Sequence, residues 1–232
     1  MPRIRSDAAD IATTQIIKMI TDHQLVTGDS VSDMELSKQF NMSRTPIREA
    51  MITLIESGIL ERTRTKVVVK AVTMEDVIEI LDVRDAIENK AIDIIFDNKY
   101  FNEEKLNILL EVQKKLDENI SNGNYDANFK ADRTFHQTLI SFAGNQRFVD
   151  IYKRISLQFS RLRWLTTLTP NRYEETKLEH NNIIEALKSG DKEKCKNYAH
   201  YHIVKTKENY QQILNSPYWN HIADEIKRMK NT

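Results

Sequence analysis

The sequence predicts a mainly α-helical protein in two parts. The first is a winged helix-turn-helix of three helices and a β-hairpin, and the second is an all-α antiparallel helical bundle. Three observations predict this. Apolar residues recur at spacings of three and four along most of the 232 residues, which is the period of an amphipathic helix. One stretch breaks the period: Ile59 to Val72 is rich in β-branched residues and reads as two short strands with a polar tip at 63–65. The five glycines, Gly28, Gly58, Gly123, Gly144 and Gly190, fall at breaks in the period, as expected of residues that end helices.

The elements follow in order. A first helix is predicted over 8–23, with Ile11, Ile16, Met19 and Ile20 on its apolar side. Gly28 opens a turn. Ser32-Asp33-Met34-Glu35 is a capping-box pattern that starts a short helix ending near Phe40. Asn41-Met42 forms a tight turn, and Ser43 is placed to cap a helix that stops at Gly58. Pro46 is tolerated there because the first turn has amides without helical partners. After the hairpin and a linker at 71–74, helices are predicted over 75–98, 103–121, 126–142, 146–167, 172–188, 192–214 and 218–229. The domains are therefore 1–72 and 75–232.

Composition limits the function classes. Thirty-four basic and 34 acidic side chains give a formal net charge of zero, which excludes a uniformly basic nucleic-acid coat. No apolar run approaches the ~18 residues of a membrane span. The N-terminus lacks the apolar stretch of a signal peptide. A single cysteine, Cys195, forbids an intrachain disulfide and suits a reducing compartment. The expected location is the cytoplasm.

Charge is nonetheless local. Residues 38–70 carry seven basic side chains (Lys38, Arg44, Arg48, Arg62, Arg64, Lys66, Lys70) against three acidic ones (Glu49, Glu56, Glu61). Positive charge thus gathers on the second helix of the helix-turn-helix, which enters the major groove, and on the hairpin that flanks it. Arg44 and Arg48 are four apart and share a helix face. Arginine can fork onto guanine O6 and N7, and Thr45 can bond a phosphate or touch a thymine methyl. The alternative is a solvated charged helix end. The run Ser43-Arg44-Thr45-Pro46-Ile47-Arg48-Glu49-Ala50, then Leu54 and Gly58-Ile59-Leu60, resembles the recognition-helix signature of the GntR family of bacterial transcription regulators. Leu25, Gly28, Glu35 and Leu36 extend the match upstream. The resemblance implies operator contacts from Ser43, Arg44, Thr45 and Arg48. It departs at the wing, where the family carries glycine and this chain has Thr63-Arg64-Thr65-Lys66. Arg64 and Lys66 are therefore expected to meet phosphates.

The second part holds a histidine pattern. Asp132, His136 and Leu139 lie on one helical stripe. His180 starts another with Ile183, Ile184 and Leu187, and His202 lies on a third with Cys195, Ala199 and Thr206. Three helices thus aim metal-capable groups inward. A buried carboxylate needs a compensating cation or donor. A divalent ion would satisfy all four groups, and one carboxylate with three imidazoles suits zinc, nickel, iron or manganese. An Asp–His hydrogen-bonded core pair is the other reading. His200 is about 200° round the helix from His202 and is expected to face solvent or lie behind the ligands. On the helix 75–98, Arg84 and Glu88 interrupt a stripe of Val77, Leu81, Ala91 and Ile95. They read either as a buried pair or as an arginine reaching a ligand cavity. Arg161 and Arg163 are weaker candidates. Trp164, Phe135, Phe142 and Phe159 read as core or cavity wall.

Asp132-x-x-x-His136, Gly144-Asn145, Glu179-His180 with Ile184 and Ala186, Gly190-Asp191 and His202 resemble the FCD effector domain of the FadR subfamily. The resemblance implies a metal held by Asp132, His136, His180 and His202, with zinc the first choice. It also implies a small organic or sugar acid as effector, with Arg84 as its partner. The expected protein is a homodimeric regulator, a repressor by family habit, on a pseudo-palindromic double-stranded DNA operator. Two alternatives remain: a metal-dependent hydrolase fused to a DNA-binding head, and a purely structural metal in a dimerising domain.

Overall fold

A computed structural model describes residues 7–22, 24–123, 125–159, 169 and 171–216. Among the described residues the chain divides into two units: those up to Val72 together with 157–159 form the first, and Thr73–Ser156 with the residues from 169 on form the second. His23, the continuation of the helix predicted over 146–167 with Arg161, Arg163 and Trp164, and the segment 218–229 with Trp219 and His221 lie outside the described residues.

The first unit contains α1 (Asp7–Thr21), α2 (Asp33–Gln39), α3 (Arg44–Glu56), β1 (Leu60–Arg62) and β2 (Val67–Val69). Its core joins Ala12, Ile16 and Ile20 of α1 to Leu36 of α2. Ile47, Ala50, Met51 and Leu54 of α3 and Val67 and Val69 of β2 complete it. The apolar stripe of α1 runs Ala12-Ile16-Ile20. Ile11, one residue off that stripe and rotated about 100° from it, is 49% exposed rather than inward as the sequence predicts. Of the expected capping box at α2, the Ser32 bond to the Glu35 amide forms. Ser43 occupies the N-cap of α3 but makes no side-chain cap bond, contrary to expectation. A cap hydroxyl accepts from the second or third helical amide, and the third residue here is Pro46, which has none. Asn41, at φ 52°, turns the chain between α2 and α3.

β1 and β2 pair antiparallel, with Leu60 opposite Val69 and Arg62 opposite Val67. The sequence reading missed a further pairing. Gly28 and Val31 donate to the carbonyls of Val69 and Val67, and the Val69 amide donates to Asp29. β2 is thereby flanked on both edges, and Val67, Val68 and Val69 are all buried.

The second unit contains α4 (Met74–Asp97), α5 (Glu103–Ser121), α6 (Tyr125–Ser141), α7 (Gln146–Phe159) as far as Ser156, α8 (Asn171–Ser189) and α9 (Lys192–Leu214). α4 packs on α6 and α9, α5 on α6 and α8, and α8 on α9. The first turn of α4 holds a full capping box: the Thr73 hydroxyl accepts from the Asp76 amide and the Asp76 carboxylate accepts from the Thr73 amide. Asn102 and Asp191 cap α5 and α9. Ile92, Ile95, Leu109, Phe135, Leu139, Ile140, Ile183, Ile184 and Leu187 fill the core. Phe142 is buried as well, and so is Phe159, which belongs to the first unit. Cys195 is a buried free thiol, and burial pushes its pKa up to about 12. Among the described residues no helix is long and apolar enough to cross a membrane.

Candidate metal centre and nucleic-acid interface

The inward faces of three helices converge in the second unit. α6 presents Asp132 and His136 one turn apart, α8 presents His180, and α9 presents His202. One ligand atom from each lies within 4.8 Å of all the others. The three imidazoles are buried. The Asp132 side chain is 27% exposed, so it stands at the edge of the cluster rather than on a fully buried stripe. Its Oδ1 is 3.7 Å from His136 Nε2 and 3.5 Å from His180 Nε2. The Nε2 atoms of His136 and His180 are 3.1 Å apart. Phe135 stacks flat on His180, with ring centroids 3.9 Å apart.

Each ring is held from behind. His136 Nδ1 is 3.0 Å from Glu88 Oε2, His180 Nδ1 is 3.2 Å from Gln113 Oε1, and His202 Nδ1 is 2.7 Å from Glu179 Oε2. An acceptor at Nδ1 draws the ring proton there and leaves the Nε2 lone pair facing the cluster. The acceptors are themselves fixed. Arg84 Nε donates to Glu88 at 2.7 Å. Arg172 forks onto both oxygens of Glu179 at 2.8 Å and reaches Thr206 at 3.2 Å. Gln113 sits between Leu109 and Leu116 on the buried face of α5.

The electrostatics separate the three rings. Burial, reinforced by the charge of His136, holds His180 and His202 well below the usual histidine range, so both are neutral donors. Burial and Arg84 push His136 down, but Glu88 and Asp132 outweigh them and its pKa is raised. Burial alone would raise Glu88, yet His136 and Arg84 bring it down to about 2. Asp132 lies well below its ordinary value: burial opposes this, but the hydrogen bond and charge of His136 and the charges of His180 and Arg84 prevail. Two neutral imidazoles, a third beside two carboxylates, and an anionic oxygen form a donor set that fits a divalent ion.

Of the two readings of Arg84 in α4, the buried pair is the one the geometry shows. Arg84 pairs with Glu88, and its Nη2 also lies 3.1 Å from His202 Nε2. His200 stands apart, exposed, with Nδ1 2.9 Å from Asp85 Oδ2. The sequence reading missed Gln113, Arg172 and the orienting role of Glu179. Glu179 precedes His180 and was visible in that motif, whereas Gln113 carries no metal-binding spacing.

In the first unit, α3 buries Ile47, Ala50, Met51 and Leu54 and exposes Ser43, Arg44, Thr45 and Arg48 together. Arg44 and Arg48 both pair with Asp33 of α2. At the wing tip the Thr63 hydroxyl accepts from the Lys66 amide and donates to the Lys66 carbonyl. This closes the turn without glycine and leaves Arg64 and Lys66 exposed.

Comparison with known proteins adds to this geometry. Residues 79–205 match the FCD domain, and residues 9–68 match the bacterial regulatory proteins of the gntR family. The chain is 29% identical to the HTH-type transcriptional regulator YdhC of Bacillus subtilis over 202 residues, 86% of this chain and 89% of that one. It is 27% identical over 209 residues to the HTH-type transcriptional repressor RspR of Escherichia coli, covering 86% and 87%. The fold is similar to that of McbR/YncC of E. coli, with a TM-score of 0.75 at 20% identity over 89% of this chain and 99% of that one.

Proposed function

This chain belongs to the GntR family of bacterial regulatory proteins and carries an FCD domain, and from that premise we propose how it couples a small molecule to an operator. It is a DNA-binding transcription regulator, not an enzyme, which removes the hydrolase alternative. In our reading it represses from the compartment that holds the chromosome. Two copies place two α3 helices in successive major grooves of a pseudo-palindromic operator. Arg44 and Arg48 read base edges. Ser43, with its hydroxyl free of the helix cap, and Thr45 bond phosphates or a thymine methyl, and Arg64 and Lys66 meet the backbone beside the wing.

In the second unit, Asp132, His136, His180 and His202 would hold a divalent transition metal, with zinc the first choice and nickel, iron or manganese compatible with the donors. The observation that carries this is the tethering of all three imidazoles at Nδ1, which turns their Nε2 atoms toward the Asp132 carboxylate. A bound metal would supply a Lewis-acidic anchor for an anion. Arg84 completes the binding logic. Its Nη2 engages the Nε2 of His202, the lone pair that ligation requires, so that bond and a metal exclude each other. Once released, the guanidinium remains tethered to Glu88 through Nε and offers its other edge to a carboxylate. The effector class is thus a small carboxylic or sugar acid. Its differential affinity for two states of the helical unit sets operator affinity.

The test is operator release. Wild-type protein bound to labelled operator is titrated with a panel of small carboxylic and sugar acids, beside Arg84→Lys. The expected result is release by at least one acid, with the response weakened about tenfold or more in Arg84→Lys and metal content unchanged. If no acid alters DNA binding while chelation unfolds the second unit, the metal is purely structural and the effector reading is wrong.

A further inference from the structure

We propose that Asp33 is a specificity-determining positioning residue of the DNA interface, which aims the two recognition arginines and restrains their binding to arbitrary sequence. This rests on the DNA-binding reading of α3. Asp33 is not part of the recognition helix: it is the first residue of α2, eleven positions before Arg44. Its carboxylate nevertheless collects both arginines. Arg44 donates to it through Nη2, 2.9 Å from each oxygen, and through Nε at 3.2 Å. Arg48 donates through Nε at 2.5 Å. The arginine side chains are 51% and 59% exposed, whereas that of Asp33 is 21% exposed. The acid therefore sits behind the pair, toward the protein, and the cations stand in front.

Donor geometry shows what this does. A guanidinium has five N–H groups in a rigid planar fork. Asp33 takes the Nε–H of Arg48 and leaves its two terminal amino groups with no described partner. That terminal pair is the edge that forks onto guanine O6 and N7. Arg44 is gripped along its Nε–Nη2 edge, which leaves Nη1 with no described partner. The carboxylate thus fixes the plane of each guanidinium before DNA arrives, which lowers the ordering cost of a directional contact. It also places one negative charge beside two positive ones. Phosphate attraction is the sequence-independent part of affinity, so this charge weakens binding to every sequence while the orientation favours the right one. The hydrogen bonds from Arg44 and Arg48 hold the Asp33 carboxyl below its ordinary pKa, consistent with a permanent anion.

A simpler role for Asp33 is to favour the N-terminus of α2 through the helix dipole. That role would change stability slightly and base preference not at all. The experiment is selection from a random-sequence duplex library by full-length wild type, Asp33→Ala and Asp33→Asn, with binding to unselected duplex measured in parallel. For Asp33→Ala we expect the same half-site, with the preference at one or two base positions reduced about tenfold, and tighter binding to unselected DNA with a steeper salt dependence. Asp33→Asn keeps one acceptor oxygen without the charge and falls between the two. It also serves should the alanine variant fold poorly. An enriched motif of unchanged sharpness in both variants would overturn the positioning role, whatever the change in overall affinity. An equal loss of affinity for selected and unselected DNA would overturn it too. If wild type itself enriches no sequence, the DNA reading of α3 fails, and the role of Asp33 falls with it.

Discussion

Gln113 is the residue that most sharply separates a metal centre from a polar core. It is 3% exposed on an otherwise apolar helix face, and its Oε1 lies 3.2 Å from His180 Nδ1. Its Nε2 donates to Asp117 at 2.9 Å, which fixes the amide so that the oxygen faces the ring. Gln113→Leu keeps the volume and removes the acceptor, so the His180 proton is no longer directed to Nδ1. The expected outcome is a loss of about tenfold to a hundredfold in metal affinity, measured by competition with a chelating dye, with folding retained. At this scale the sequence was legible where helical period and donor chemistry coincide. Asp132, His136, His180 and His202 each sit on a stripe whose apolar members face the core, and the structure brings all four together. The supporting residues were not legible. Gln113 needs a ring 67 positions away, which no local pattern encodes, and the Arg172–Glu179 pair, two turns apart on α8, reads as an ordinary charged helix face until packing buries it.

Two helix starts illustrate how far local rules reach at the scale of elements. Thr73 opens α4 with both bonds of a capping box. Thr73→Ala should cost about 1 kcal/mol of stability in the second unit, read by urea unfolding. Ser43 has the residue type of a cap but no cap bond, because Pro46 removes the amide it would accept. Ser43→Ala should therefore change stability by less than about 0.5 kcal/mol while weakening operator binding in a gel-shift titration. A stability loss as large as that of Thr73→Ala would contradict the geometry. The helices themselves were legible because their apolar period is sustained over many turns. The hairpin was legible from its β-branched run. The pairing of Gly28–Val31 with β2 was not, since four residues are too short for a strand pattern and the partner lies about 40 positions away. Ile11 failed for a related reason: an isoleucine near a stripe reads as part of it until the rotation about the helix axis is fixed by packing.

For the whole molecule, two units occupy one chain, each with its own core, and in our proposal the first reads DNA and the second reads small molecules. The family, and with it the regulatory function, follows from motifs that span both units, because the recognition signature and the histidine spacing are each contiguous enough to survive in one sequence. Metal identity, effector and operator are set by cavity shape and groove contacts that spacing does not carry. In this account the metal organises the second unit for an acidic effector, and the first unit folds without it. Measuring transition metal per chain in purified, tag-free wild type beside Asp132→Ala and His180→Ala tests that claim most directly. The account predicts about one metal per wild-type chain, strongly reduced in both variants, with the first unit still binding DNA. Metal-free wild type after handling without chelators, or unchanged metal content in both variants, would contradict it and return the four residues to a hydrogen-bonded core.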